Sequence, residues 1–149
     1  MEESSLEPID YAAAAATFAG ELLCHQYVVL SPTFGVPTFY FSVHDSSGTP
    51  LTLTEVLQLP LFHRDAFEGA QVTTFSVEQS CASFPLLSFG DHPTLNVQCW
   101  YLHPCGTKAA VEEILDATEE GKAGGEQRHL QWLRAWFTLL SSLLVDLRG

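Results

Sequence analysis

Apolar and polar residues alternate over two stretches in the first third of the chain, which is the pattern of β-strands. Residues 26–30 and 36–44 are both rich in β-branched and aromatic residues. In the second stretch, alternation places Phe41 on one face and Tyr40 on the other. Because residues 31–35 contain a proline and a glycine, they predict a turn. The two strands are therefore expected to pair as an antiparallel hairpin.

Helical spacing of apolar residues predicts three longer helices. They cover the alanine-rich residues 11–23, residues 108–118 and residues 126–147. Residues 119–126, which contain three glycines, predict a flexible linker before the last helix. That helix has apolar residues at three- and four-residue steps, and we expect this stripe to be buried. Its members are Leu130, Leu133, Phe137, Leu140, Leu144 and Leu147, with Trp136 beside them.

The region between these elements is less regular. It predicts one strand at about residues 71–78 and then a long loop, because Pro85 and Ser88 interrupt the next apolar run. A short apolar strand at residues 99–102 ends this region.

A short helix is predicted at residues 52–57, with Thr54 as its N-cap and Glu55 near its positive end. Together the elements predict an α+β protein with a mainly antiparallel, curled sheet flanked by helices. A chain of 149 residues corresponds to one domain, and we expect its residues 1–10 to be frayed.

Composition narrows the class of protein. With 46% hydrophobic and 16% charged residues, the chain is not expected to be disordered. Its 18 acidic and 6 basic residues give a formal net charge of −12, which disfavours nucleic acid as a partner and suits a basic protein surface.

The acidic residues 1–10 do not form a signal peptide, and the longest apolar run, residues 135–145, is shorter than the ~20 residues of a spanning helix. We therefore expect a cytoplasmic protein without a transmembrane segment. Its expected free thiols are Cys24, Cys81, Cys99 and Cys105.

The His-Pro-Cys sequence after the strand at residues 99–102 is the main candidate for chemistry. Pro104 cannot continue the strand ladder, and Gly106 and Thr107 supply a flexible joint and an N-cap for the next helix. Cys105 is thus expected at the end of a strand, just ahead of a helix N-terminus. Because the helix dipole favours a thiolate, we expect the pKa of Cys105 to be lowered and its sulfur to act as a nucleophile.

Other interpretations of this cysteine exist. The ordinary structural alternative is a half-buried cysteine at a strand end. Zinc is not favoured, since the chain has no Cys-x-x-Cys pair, although five potential ligands lie within 25 positions: Cys81, His92, Cys99, His103 and Cys105. A cysteine hydrolase is chemically possible, but no protease signature is present. No glycine loop for phosphates occurs either, so no metal or cofactor is expected.

Two blocks of sequence carry a family resemblance. The first contains His92-Pro93, then Trp100-Tyr101, then Leu102-His103-Pro104-Cys105-Gly106-Thr107. The second is an upstream block over residues 27–53. In this order they resemble the ubiquitin-like-conjugating enzymes of autophagy, in particular the autophagy-related protein ten family.

The resemblance implies a ubiquitin-conjugating-enzyme-like fold and a protein transferase. The activating enzyme, autophagy-related protein seven, would pass a ubiquitin-like modifier, autophagy-related protein twelve, to Cys105 as a thioester on the C-terminal glycine. Cys105 would then give the modifier to a lysine of the acceptor, autophagy-related protein five. The competing hypothesis is a non-catalytic adaptor of related fold that binds the modifier or the acceptor.

Other residues around Cys105 are candidates for supporting roles, His103 and His92 from their positions in the chain and Asn96 and Tyr40 from the resemblance. His103 is expected to act as a base or hydrogen-bond donor, or else to brace the loop, and His92 presents the same alternatives. Asn96 and Tyr40 are candidates for stabilising the oxyanion, and a packed tyrosine is the structural alternative for Tyr40.

Two positions depart from the family pattern. Cys99 replaces a proline, and its thiol is a candidate for a disulfide with Cys105 or for capture of the acyl group. Ser141-Ser142 replaces a Gly-Pro break, which predicts a continuous last helix. Separately, residues 26–30 would offer a strand for docking a partner if they lie at a sheet edge.

Overall fold

The structure, a computed structural model, describes residues 20–63, 65–79, 85–118 and 124–144. Its strands are β1 (Leu23–Leu30), β2 (Pro37–His44), β3 (Ala70–Val72), β4 (Ser76–Gln79), β5 (Pro85–Asp91) and β6 (Gln98–Leu102). They form one sheet in the order β1-β2-β6-β5-β4-β3, and every neighbouring pair is antiparallel. The helices are α1 (Leu53–Leu57), α2 (Thr107–Ala117) and α3 (Glu126–Ser141). The predicted α+β class with an antiparallel sheet and flanking helices is confirmed.

None of the helices in the described part of the chain is both long and apolar enough to cross a membrane.

The hairpin of β1 and β2 is confirmed, and β1 begins three residues earlier than predicted. The register joins Tyr27 to Tyr40 and Val28 to Phe39. Phe39 and Phe41 enter the core while Tyr40 lies half-buried on the opposite face, as the alternation predicts. β1 forms one edge of the sheet.

The core lies between one face of the sheet and the three helices. Trp136 of α3 is buried, and its Nε1 donates a hydrogen bond to the Pro37 carbonyl at 3.1 Å, which fixes α3 across the end of β2. The predicted stripe of α3 is only partly correct, because Leu130, Leu133 and Phe137 are 53%, 41% and 50% exposed. The helix buries the side that carries Trp136 instead, since that face meets the sheet.

The prediction of a continuous last helix is wrong for the described residues, because α3 ends at Ser141. The hydroxyls of Ser141 and Ser142 donate to the carbonyls of Thr138 and Leu139 and so compete with the helical ladder. Leu144 then pairs with Phe62 in an isolated β-bridge. Residues 145–147 lie outside the described residues.

The single strand predicted at residues 71–78 is two strands, β3 and β4. A turn separates them because Thr73 Oγ1 accepts the N–H groups of Phe75 and Ser76 at 3.3 and 3.0 Å. The predicted loop is also wrong over β5. Pro85 is tolerated as the first residue of that strand, and Ser88 is buried against Tyr101 in the register with β6.

Two smaller corrections concern the start of α1 and the end of the helix predicted at residues 11–23. The N-cap of α1 is Thr52 rather than Thr54, and Thr52 forms a capping box with Glu55. Most of the helix predicted at residues 11–23 lies outside the described residues, as do residues 1–10 and most of the linker at 119–126. The described end of that helix is not helical, because Leu23 already belongs to β1.

Candidate active site

Cys105 lies in a tight turn between β6 and α2. β6 ends at Leu102, and a single turn of 3₁₀-helix, Pro104–Gly106, leads directly into α2. The predicted position at a strand end and ahead of a helix is confirmed. The predicted cap is wrong: Thr107 is the first residue of α2, and its N–H donates to the Pro104 carbonyl.

His103 closes this turn with its side chain. Its Nδ1 accepts the N–H of Cys105 at 3.2 Å, so the proton of the neutral ring belongs on Nε2. Burial lowers the pKa of His103 below its ordinary 6.5, which keeps Nδ1 available as an acceptor. The geometry favours the bracing interpretation of His103.

Electrostatics at Cys105 differ from the expectation of a lowered pKa. Burial raises the pKa of the Cys105 thiol above its ordinary value, and hydrogen bonds from the N–H groups of Cys105 and Gly106 lower it by a smaller amount. The helix N-terminus favours a thiolate, but the fold also removes solvent from around the sulfur, and local sequence does not reveal that loss. The resting group is therefore a half-exposed thiol.

A series of ring contacts connects Tyr40 to the turn through a residue that the sequence argument missed. The rings of Tyr40 and Tyr101 lie 5.2 Å apart, and Tyr101 lies 6.1 Å from the His103 ring. Burial raises the pKa of Tyr40, with smaller contributions from Tyr101 and Cys99. Phe34, also missed, packs edge-on against His103 at 5.9 Å. Residues 31–35 had predicted only a turn, and no local signal placed that turn beside His103.

His92 directly follows the last residue of β5, in the loop that leads to β6, rather than in the turn of Cys105. Its Nδ1 accepts the N–H groups of Thr94 and Leu95 at 3.2 and 3.1 Å, which closes the loop between β5 and β6. The ring is 4% exposed and packs against Tyr27 and Tyr40. Of its two predicted roles, the geometry favours holding the loop.

Asn96 belongs to the same loop, in a left-handed conformation with φ of 54°. It precedes β6 whereas Cys105 follows it, so the length of this strand separates the two residues. The geometry does not support Asn96 as an oxyanion donor to Cys105 in this arrangement.

The other cysteines differ in accessibility. Cys99 is 0% exposed and free, so it is not placed to capture an acyl group. Cys24 is exposed on β1, and Cys81 lies outside the described residues. Among the described residues, no three His, Cys, Asp or Glu side chains come together as metal ligands.

An apolar pocket of about 240 Å³ borders the active-site turn. His103, Gly106 and Thr107 form one wall, and Phe39 and Trp136 of the core form others. The turn therefore lies beside an apolar pocket that opens to solvent.

Comparisons with known proteins agree on one family. The family model for the autophagocytosis-associated protein, active-site domain, matches residues 2–147.

Three curated proteins, each named Ubiquitin-like-conjugating enzyme ATG10, are similar to the chain. The one from Arabidopsis thaliana is 24% identical over 140 residues, covering 93% of this chain and 56% of its own length. The one from Homo sapiens is 23% identical over 146 residues, covering 97% and 59%. The one from Schizosaccharomyces pombe is 30% identical over 123 residues, covering 83% and 56%. The chain thus spans somewhat more than half the length of these relatives.

Proposed function

The chain belongs to the family of the autophagocytosis-associated protein active-site domain, and from this premise we propose that it is a ubiquitin-like-conjugating enzyme of autophagy with Cys105 as its nucleophile. The observation that carries the proposal is the half-exposed Cys105 in the turn between β6 and α2. Similarity to three proteins named as conjugating enzymes supports it.

The reaction consists of two acyl transfers on one sulfur. The Cys105 thiol loses its proton and the thiolate attacks the C-terminal glycine carbonyl of the modifier, so that a new S–C bond forms and the thiolate of the activating enzyme leaves and takes up a proton. A lysine amine of the acceptor then attacks the same carbonyl, an isopeptide bond forms, Cys105 leaves as a thiolate, and the proton that the amine loses restores the Cys105 thiol. Because a thioester is already activated, neither step consumes ATP on this chain.

The turn supports this chemistry through its backbone. The backbone N–H groups of Cys105 and Gly106 lower the pKa of the sulfur, so they favour negative charge on it when it attacks and when it leaves. In this proposal His103 is a positioning residue, because its Nδ1 holds the Cys105 N–H. Tyr40 supports the turn indirectly, because its ring packs against Tyr101 and the Tyr101 ring packs against His103.

The partners are the activating enzyme, autophagy-related protein seven, the modifier, autophagy-related protein twelve, and the acceptor, autophagy-related protein five. β1 offers a docking strand for the modifier or the acceptor, because it lies at the edge of the sheet. Its exposed Val28 and Leu30 add apolar contact area.

A loading reaction tests the proposal. The chain is mixed with activating enzyme, ATP and modifier and is run on gels with and without thiol. We expect a thiol-sensitive adduct in the wild type and in the matched control Cys99→Ala, and none in Cys105→Ala. Cys105→Ser should trap a thiol-resistant ester, since an oxygen ester is less reactive than a thioester.

The raised pKa of Cys105 is the observation that favours the second candidate, the non-catalytic adaptor. If the activating enzyme is charged and the chain forms no adduct while it still binds modifier or acceptor, the adaptor hypothesis replaces the enzyme.

A further inference from the structure

A large groove opens at the end of β6 that is remote from Cys105. The ladder between β2 and β6 comprises two residue pairs, Tyr40 with Tyr101 and Phe41 with Trp100. Beyond them the two strands separate, and a different segment pairs with β2: His44 forms a bridge with Pro50. The groove, of about 710 Å³, is lined by residues from both sides of this separation.

Aromatic side chains form one wall of the groove. The Phe89 ring lies 4.7 Å from that of Trp100, and Phe75 stacks on Phe89 at 6.0 Å. Val97, also lining the groove, is 45% exposed and Phe75 is 62% exposed. A volume of this size, apolar with a few polar groups, is typical of sites that take a ligand or side chain.

Hydrogen bonds hold the backbone of Phe75 in place. Thr73 Oγ1 accepts the N–H of Phe75, and the Phe75 carbonyl accepts the N–H of Phe89 at 3.0 Å. The turn between β3 and β4 thus holds a large apolar ring at the rim of the groove, in contact with solvent. A ring in this position offers its face to an apolar side chain or to a guanidinium group.

Charge distinguishes among possible occupants. Between residues 20 and 107, which include every described strand, the sequence has seven acidic residues and a single lysine or arginine, Arg64. The acidic residues are Glu21, Asp45, Glu55, Asp65, Glu68, Glu78 and Asp91. The residues that line the groove include no lysine, arginine, aspartate or glutamate, and two of them are histidines. Carboxylates lie at its rim: Glu55 accepts the N–H of the lining residue Thr52 at 2.7 Å, and Glu78 accepts a hydrogen bond from Ser76, the neighbour of Phe75. The rim therefore attracts cations and repels anions.

We propose that this groove docks a basic peptide segment of a partner protein, which inserts one large apolar side chain against Phe75, Phe89 and Trp100 while its lysines and arginines face the acidic surroundings. The apolar insertion supplies affinity, and the charges supply selection and fast association. The site lies about 13 Å along β6 from the beginning of the Cys105 turn. It is therefore separate from the thioester chemistry.

Fluorescence anisotropy with three labelled nonapeptides tests the proposal on the full chain. The first has a central Trp-Leu pair between lysines and arginines, the second has glutamate in place of each basic residue, and the third has serine in place of Trp-Leu. We expect binding of the first peptide only, with an affinity that falls as salt is added. Equal binding of the first and third peptides would show general charge attraction and would overturn the docking site.

Variants locate the binding. Phe75→Ser should weaken the first peptide about tenfold, since it removes the exposed ring of the groove. Leu130→Ser is the matched control, because Leu130 is similarly exposed at 53% but lies on α3. Thermal melting checks that both variants fold. Unchanged affinity of a folded Phe75→Ser variant contradicts the proposal, and a loading assay on the same variant shows separately whether Cys105 still accepts the modifier.

Discussion

The two ends of β6 contain the same residue types but differ in their exposure to solvent. Each end has a His-Pro pair whose histidine Nδ1 accepts an N–H two residues later, at 3.2 Å in both cases. On the side where the strand begins, His92 of the preceding loop is 4% exposed and Cys99 of the strand is 0% exposed. At the other end, His103 and Cys105 are both partly exposed. The local motif is shared, so burial is what separates a structural brace from an accessible sulfur.

Alkylation of the native protein should show the largest difference between the two ends. We expect iodoacetamide to modify Cys105 at least about a hundredfold faster than the fully buried Cys99, as measured by mass spectrometry of peptides. Because the pKa of Cys105 is raised above its ordinary 9.0, its thiolate is the minor form up to that pH. Its rate should therefore rise about tenfold per pH unit from neutrality to about pH 9.

The pH profile of alkylation distinguishes the structure from the sequence argument. A lowered pKa would instead give a rate that reaches a plateau below pH 9. The rate is followed on the Cys105 peptide of the Cys99→Ala variant, in which Cys99 cannot react. A plateau below pH 9 for that peptide would contradict the raised pKa described for Cys105.

The free energy of unfolding should depend more on the histidine at the buried end of β6 than on the histidine at the exposed end. His92→Ala should reduce the free energy of unfolding by roughly 3 kcal/mol, because it removes a buried ring and two hydrogen bonds. His103→Ala removes one cap in a half-exposed turn and should cost about 1 kcal/mol. Urea unfolding of both variants measures the difference. His25→Ala, at an exposed position of β1, is the control and should change stability by less than ~0.5 kcal/mol.

A conservative variant sharpens the comparison for His103. Asparagine can also accept an N–H from the turn, so His103→Asn should recover most of the ~1 kcal/mol that His103→Ala loses. If His103 positions the turn, the asparagine variant should also recover transfer of the modifier in the conjugation assay. Recovered stability without recovered transfer would instead assign an acid–base role to the imidazole.

The smallest expected effect is a pH dependence of stability. The pKa of His103 is lowered by burial, so as the pH falls below 6.5 the unfolded chain takes up its proton before the folded chain does. The contribution of neutral His103 is therefore present above pH 6.5 and is lost as the pH falls towards the lowered value. Wild type should lose more stability than His103→Asn in this window, in matched urea titrations. Parallel curves would place the pKa of His103 at its ordinary value.

The comparison also explains what the sequence could predict. Alternation was sufficient for β1 and β2, and the His-Pro-Cys motif was sufficient for the position of Cys105. The pKa of Cys105 could not be obtained in this way, because it depends on solvent removed by neighbours that are distant in sequence. Asn96 illustrates the same limit: it is near Cys105 along the chain, but an intervening strand separates them.

Other failures have local causes. β5 was missed because Pro85 and Ser88 read as interruptions, although a first-position proline and a serine paired across the sheet are both compatible with a strand. The exposed side of α3 was misassigned because Leu130 and Phe137 continue the apolar spacing. Spacing alone does not show which part of a wide apolar stripe meets the sheet.

Two residue pairs join β2 to β6, and this junction, the seam of the sheet, has a consequence for the order of folding. Among the described strands, every other neighbouring pair in the sheet is consecutive in sequence, whereas Tyr40 and Tyr101 are joined across some sixty residues. Closing a loop of that length costs roughly 3–4 kcal/mol of chain entropy before the seam contributes any contact. The β1–β2 hairpin and the β3-to-β6 meander can therefore form early and separately. We expect their docking through Phe41 and Trp100 to be the slow step, which would set how long unpaired strand edges remain exposed to aggregation.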